Sequence, residues 1–225
     1  MKDVVIVFAR VPRLGTVKRR LARGIGDLQA KKFHTQVMDR LLRALANERR
    51  FRTIAALTPD RARMRLPQRV QRIAQGDGDL GQRMQRAFAR FPNANVVLVG
   101  CDIPELDVGD VRLALQKLGQ VDAAFGPAED GGYWLVAMSP RRPARPFAAV
   151  RWSGEHTLAD NLANFSTRRV ALLRRLDDID TVEDFQRWQK RHSVSQRHSQ
   201  GFPNALALSP EAVSPPDTDR SERTA

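Results

Sequence analysis

Five short segments hold the residue types that chemistry on phosphates and hydroxyls requires. The first runs from Arg10 to Leu21 as Arg-Val-Pro-Arg-Leu-Gly-Thr-Val-Lys-Arg-Arg-Leu. Pro12 and Gly15 shape a tight loop there, and Gly15 lets backbone N–H groups approach a ligand closely. Lys18 and Arg20 can add charge-assisted bonds to phosphate oxygens. Arg10, Gly15, Lys18 and Arg20 are therefore candidate nucleotide or phosphate contacts. An ordinary basic loop would carry the same residues. The segment matches neither a Walker A loop nor a Gly-x-Gly-x-x-Gly fingerprint, so the P-loop ATPase and dinucleotide readings lose support.

The second segment is Gly76-Asp-Gly-Asp-Leu-Gly-Gln-Arg-Met84. Phe88 stands where a calcium loop needs a chelating Glu, which excludes an EF-hand. A glycine-flanked helix start suits a base or phosphate contact, with Gly81 and Arg83 the candidates, while Asp79 reads equally well as a plain helix cap. The third is Gly100-Cys-Asp-Ile-Pro104. An Asp at the end of an apolar strand can hold Mg²⁺ or Mn²⁺ beside phosphates, because hard cations prefer carboxylate oxygen. Asp102 is the leading metal candidate, with capping as its alternative. Cys101 reads as a buried residue, not a nucleophile.

Glu129-Asp-Gly-Gly-Tyr-Trp134 is the fourth segment. Asp130 can orient or deprotonate an acceptor hydroxyl, and Gly131 and Gly132 permit close approach to it. Tyr133 and Trp134 can line a sugar or base pocket, although packing is the commoner fate of such rings. The last segment, Leu176 to Phe185, contains Asp177, Asp178, Asp180, Glu183 and Asp184. Asp180-Thr181 reads as a helix start with acids at its positive end, and Asp178 or Asp180 can also reach a metal. The four histidines, at 34, 156, 192 and 198, lack metal-ligand spacing and read as surface or lightly packed residues.

These segments need a scaffold, and hydropathy alternates between strand-like and helix-like stretches throughout. Val4 to Phe8 is a continuous apolar run, as for a strand buried on both faces. Asp27 is placed to cap a helix bearing Phe33, Val37, Leu41 and Leu45 on one side. Strands are expected at Thr53–Thr58, near Val70–Ala74, at Val96–Val99, Asp122–Phe125 and Tyr133–Met138, and near Val170–Leu173. Helices are expected from Leu80 to Phe91, Val108 to Leu118 and from about Thr181. The alternation predicts an α/β fold with a mostly parallel sheet, whose ligands bind beyond the carboxyl ends of the strands.

The 225 residues suit one domain, taken as 1–192, plus a tail at 193–225 where apolar periodicity disappears and disorder is expected. The single cysteine, the lack of a signal pattern before Val4 and the lack of a spanning segment together predict a cytoplasmic protein with no membrane partner. A net charge of +13 is scattered as arginine and suits a field that attracts anionic substrates. A basic nucleic-acid-binding module is the non-enzyme alternative, but no helix-turn-helix, zinc-finger or ribonucleoprotein signature supports it.

In order, the segments resemble one family: the bacterial GT-A-type transferases of unknown function often labelled arsenosugar-biosynthesis glycosyltransferases. The resemblance rests on Pro12 to Leu21, Gly78 to Met84, Gly100 to Pro104, Asp130 to Tyr133, Trp152-Ser153 and Asp178 to Asp184. It implies a GT-A-like, nucleotide-diphospho-sugar transferase three-layer sandwich, with the nucleotide near the first loop and the metal near Asp102. Gly131, Gly132, Tyr133 and Trp152 are taken as the candidate acceptor contacts, and Asp102 with Asp180 as the candidate metal ligands. The expected function is metal-dependent glycosyl transfer from a nucleotide-activated sugar to a small-molecule acceptor. Asp102-Ile103-Pro104 replaces the Asp-x-Asp of many glycosyltransferases and looks more like nucleotidyltransferases. Transfer of a nucleoside monophosphate from a triphosphate to a small phosphorylated acceptor therefore stands as the alternative.

Overall fold

The computed structural model describes residues 2–195, with side chains described to residue 192. Seven strands, β1 (Asp3–Arg10), β2 (Phe51–Thr58), β3 (Val70–Ala74), β4 (Val96–Val99), β5 (Ala123–Pro127), β6 (Tyr133–Met138) and β7 (Val170–Leu172), form one sheet in the order β3-β2-β1-β4-β6-β5-β7. β6 runs antiparallel to both β4 and β5, and the other neighbours pair in parallel. The expected mostly parallel α/β sheet is therefore present. Helices α1 (Arg19–Ile25), α2 (Asp27–Asn47), α3 (Leu80–Ala89), α4 (Val108–Lys117), α5 (Thr157–Ala163) and α6 (Val182–Ser195) complete the described elements.

The alternation of side chains along a strand explains the layering. In β1, Val5, Val7 and Ala9 join a core with Met38, Leu41, Leu42 and Leu45 of α2 and Val111 and Ala114 of α4. Val4 and Ile6 point the other way, into a core with Met84, Ala87 and Phe88 of α3 and with Phe165. β4 divides likewise, Val97 and Val99 to one side and Val96 and Leu98 to the other. Both faces are thus covered, and the uninterrupted apolar runs follow from that burial. A third cluster joins Leu21 of α1 and Phe33 of α2 to Ile179, Phe185 and Trp188, with the Phe33 ring edge-on to Phe185 at 5.2 Å.

Two expectations change. Asp27 lies inside α2, whose N-cap position is held by Gly26 with φ 84°; the cap must turn sharply out of α1, and glycine is at ease in that conformation. His34 is buried at 5% exposure and its Nε2 donates to the Arg10 carbonyl at 3.3 Å. It supports the start of the first loop and does not lie on the surface. The short helices α1 and α5 have no clear periodic signal, because seven residues are too few to show one. α6 extends through Ser195, and the remainder of the expected tail, from residue 196, lies outside the described residues. Among the described residues, no helix is long and apolar enough to cross a membrane.

Candidate functional site at the strand ends

From β1 the chain moves outward one way through β2 and β3, and the other way β4 lies beside β1. The crevice between β1 and β4 is therefore the switch point of the sheet, where the connections diverge and leave room for a ligand. The loops after these two strands carry Lys18 and Asp102, and the fold brings them together. Lys18 Nζ lies 2.9 Å from Asp102, 2.7 Å from Asp180 and 3.5 Å from Asp178. The lysine side chain is 4% exposed, while the three carboxylates are 35%, 44% and 41% exposed. The ammonium is the buried hub, and the acids face it from the solvent side.

Local structure sets this hub. Lys18 takes a left-handed backbone conformation, φ 47° and ψ 47°, at the N-cap of α1, which costs an L-residue about 1–2 kcal/mol. The contacts of its ammonium with three acids offset that strain. Asp178 and Asp180 arrive from the segment before α6. There Thr181 Oγ1 accepts from Asp184 N at 3.2 Å, and the Asp184 carboxylate accepts from Thr181 N at 2.8 Å. This reciprocal cap fixes the helix start, so the acids of this segment divide between capping (Asp184) and the hub (Asp178 and Asp180).

Burial works against charge on Lys18, but Asp102, Asp180 and Asp178 outweigh it and hold the ammonium well above its ordinary pKa. Burial alone would raise Asp102, yet Lys18 holds its carboxyl below the usual range. Asp178 is pushed up to about 7, first by burial and then by Asp102 and Asp180, with Lys18 opposing. Three acids sharing one cation cannot all be fully compensated. The carboxylate oxygens lie within 4.8 Å of one another. Their hard donors and residual negative charge fit a divalent cation such as Mg²⁺ or Mn²⁺. Burial also raises the Cys101 thiol far above its ordinary value, so it is no nucleophile.

Two recesses flank the hub and share Asp130 and Asp178. A cleft of about 440 Å³ is lined by Leu80, Gly100, Asp102, Ile103, Tyr133, Trp134, Trp152 and Thr157, among others. A groove of about 310 Å³ is lined by Arg20, Glu129, Asp177, Asp180, Arg187 and Arg191, among others. Asp130 is exposed, and one of its oxygens accepts from Gly132 N at 2.9 Å. Gly131, with φ 82°, lies against the backbone of Glu155, so close that a Cβ would sit 2.3 Å from the Glu155 carbonyl oxygen. That glycine is required for packing of the 150s loop and does not front the cleft.

The remaining candidates fall in different places. Tyr133 forms cleft wall, but its hydroxyl points inward to Met84 Sδ at 3.9 Å and its ring packs on Phe125. Gly81 is buried beneath Trp152, where a Cβ would meet the indole at 2.7 Å. Arg83 donates to the Gly78 carbonyl at 2.8 Å and braces its own loop. Asp79 caps α3 in a full capping box with Gln82. Gly15, with φ 70°, lies at the tip of the exposed first loop. Arg10 ends β1 with an exposed side chain, and Arg20 lines the groove. Thr157 enters the cleft without any motif to announce it, and Leu80, although inside the Gly78–Met84 segment, has no role expected from its type; the packing of α3 and α5 brings both there.

Solved structures with the same architecture set this geometry in context. A Desulfovibrio desulfuricans G20 protein assigned as a nucleotide-diphospho-sugar transferase is 28% identical, with a TM-score of 0.79 over 88% of this chain and 92% of its own. A cytidylyltransferase from Leptospira borgpetersenii shares the fold at 17% identity and a TM-score of 0.53, over 86% of this chain and 88% of its own. So does the 4-diphosphocytidyl-2C-methyl-D-erythritol synthase of Anaerococcus prevotii, at 8% and 0.55, over 85% and 99%. No curated protein sequence matches the chain. A family model described as an uncharacterized protein conserved in bacteria, DUF2064, matches residues 37–154, more than half of the sequence. With a GT-A-like sheet and its polar hub at the switch point, this chain belongs to the DUF2064 family.

Proposed function

We propose that the protein is a metal-dependent transferase that uses a nucleotide-activated sugar and passes the sugar to a small-molecule acceptor. The observation that carries this reading is the convergence of Lys18 with Asp102, Asp178 and Asp180 at the switch point. The similarity to the Desulfovibrio protein supports the nucleotide-sugar substrate.

In this reading Asp102, Asp178 and Asp180 hold Mg²⁺ or Mn²⁺, which supplies Lewis-acid stabilisation of charge on the departing phosphate. Arg20 binds phosphate oxygens, while Lys18 holds the three acids together. Arg10 and Gly15 border the nucleotide from the first loop, and Gly81 and Arg83 keep the neighbouring loop in shape. Asp130 accepts the proton of the attacking hydroxyl or aligns it. Gly132, Tyr133 and Trp152 bound the acceptor. Rate enhancement then rests on positioning and preorganised charge.

Nucleotidyl transfer is the second reading, favoured by the single Asp102 that follows β4 in place of an Asp-x-Asp pair. A thermal-shift screen of nucleoside triphosphates against nucleotide sugars, with and without Mn²⁺ or Mg²⁺, separates the two. Metal-dependent stabilisation by a nucleotide sugar, with release of nucleoside diphosphate on turnover, is the expected result. Preference for a triphosphate with pyrophosphate release would replace it by nucleotidyl transfer, and no shift with any nucleotide would sink both.

A further inference from the structure

The charge pattern of the aromatic cleft limits what can occupy it. Its lining includes Trp134, Trp152 and Tyr133 together with Leu80 and Ile103, and the ionisable side chains there are Asp102, Asp130 and Asp178. Among the described residues, no Arg, Lys or His lines it. In a chain of net charge +13, a cleft without a cation is a local exception. Two cations that adjoin its lining are committed elsewhere. Lys18 is held by its three acids, and Arg151, which precedes Trp152, is clamped to Asp160 through bonds of 2.8 and 2.9 Å.

A phosphate monoester needs donors and positive charge in the recess that receives it. This cleft offers the reverse. Lys18 and a divalent cation can balance Asp102 and Asp178, but Asp130 lines the same space and forms no ion pair among the described residues. Carboxylate oxygens accept hydrogen bonds from hydroxyls, and the faces of indole and phenol rings cover the apolar faces of a sugar. Asp130 uses one oxygen on Gly132 N, which leaves the other for a hydroxyl. The open side of the cleft continues over Ser153, held at φ 63°, and Gly154, where an added Cβ would meet no atom within 4 Å.

We infer that the acceptor received by the cleft between Trp152 and Asp130 is an uncharged polyhydroxylated compound and not a phosphorylated one. This rests on the transferase reading for the word acceptor, while the preference itself is a property of the cleft. It assigns the two recesses separate tasks, with phosphate-bearing groups kept to the side of Arg20.

The test uses the full chain with Mn²⁺ and a saturating nucleoside diphosphate, so that phosphate subsites are filled before the cleft is probed. Tryptophan fluorescence is then titrated with glucose, ribose and glycerol, and with glucose 6-phosphate, ribose 5-phosphate and glycerol 3-phosphate. A Trp152→Phe variant identifies the signal that belongs to the cleft. The uncharged member of at least one pair is expected to bind about tenfold or more tightly than its phosphate. Leu80→Arg, a change at a residue 43% exposed, places a cation at the cleft edge and is expected to reverse that preference. A phosphate monoester that binds wild type as tightly as its parent alcohol, through a signal lost in Trp152→Phe, overturns the inference. So does the lack of any Trp152-dependent response to the uncharged set. Nucleoside diphosphate binding is read separately by thermal shift, and its failure removes the transferase reading while the alcohol-to-phosphate comparison still judges the cleft.

Discussion

The groove beside Arg20 and the cleft beside Trp152 share Asp130 and Asp178 as a common wall, yet they are built from different chemistry. The groove is a field of paired charges. Arg187 bonds Asp184 at 2.6 Å, Arg191 reaches Glu105 at 3.2 Å, and among the described residues Arg20 carries no ion pair. The cleft is aromatic and acidic, and its shape depends on glycines that let indoles settle against backbone: Gly81 under Trp152 and Gly126 under Trp134. In the proposed reading, this difference lets a single site take a polyanion and a polyol side by side. Positive charge lines the groove proposed for phosphate and, among the described residues, is missing from the cleft proposed for hydroxyls.

The strongest way to break that division is at the shared hub. Asp102→Asn is expected to lower metal-dependent turnover by about a thousandfold, which corresponds to ~4 kcal/mol. Full turnover in that variant would remove Asp102 from the metal site. Lys18→Met leaves three acids facing one another. Loss of a partner from a buried pair costs about 3–5 kcal/mol, and the solvent exposure of these carboxylates reduces the expected loss to about 1–3 kcal/mol. Because a divalent cation can take over the compensating role, Mn²⁺ should raise the Tm of this variant more than that of wild type. An equal rise in both would separate the metal from the acids that surround Lys18.

Acidity sharpens the same contrast more gently. Asp178 titrates near 7 in the folded protein and near 3.9 in an unfolded chain. Between these values the native state binds more protons than the unfolded one, so metal-free stability falls as pH rises from about 4 to about 7. Cation affinity should move the other way, increasing up to about tenfold per pH unit below 7, since binding requires the carboxylate. Isothermal titration with Mn²⁺ at pH 6, 7 and 8 reads this directly, and a flat profile would contradict the placement of Asp178 among the ligands. The smallest effect belongs to the cleft alone. Gly81→Ala pushes the indole of Trp152 out of its seat and is expected to raise the KM for the acceptor several-fold, about 1 kcal/mol, with the KM for the nucleotide unchanged. Equal changes in both would mean that the two recesses are not independent.

Much of this architecture is already written in local pattern. Val4 to Phe8 and Val96 to Val99 are apolar on both faces, and only a strand between two helical layers satisfies such runs. The capping boxes at Asp79 and Thr181 are encoded within four residues each. Asp102 stands out because it follows a buried strand and precedes Ile103-Pro104. Each of these depends on neighbours along the chain, so local pattern is enough to specify them. Partnership across the fold is another matter. Lys18 carries no mark that separates it from Arg19 and Arg20 as a free phosphate ligand, yet burial at the start of α1 places it 84 residues from Asp102 in sequence and 2.9 Å away in space. His34 likewise sits on an ordinary helical face, and only the packing of α2 beneath the first loop turns it inward to the Arg10 carbonyl. The acidic cleft, without a cation among the described residues that line it, is also a product of tertiary structure, because Leu80, Trp152 and Thr157 come from α3, the loop before α5 and α5. Local propensity decides which elements form, whereas the sum of charge and burial across distant segments decides which side chains meet, and no window along the chain contains that sum.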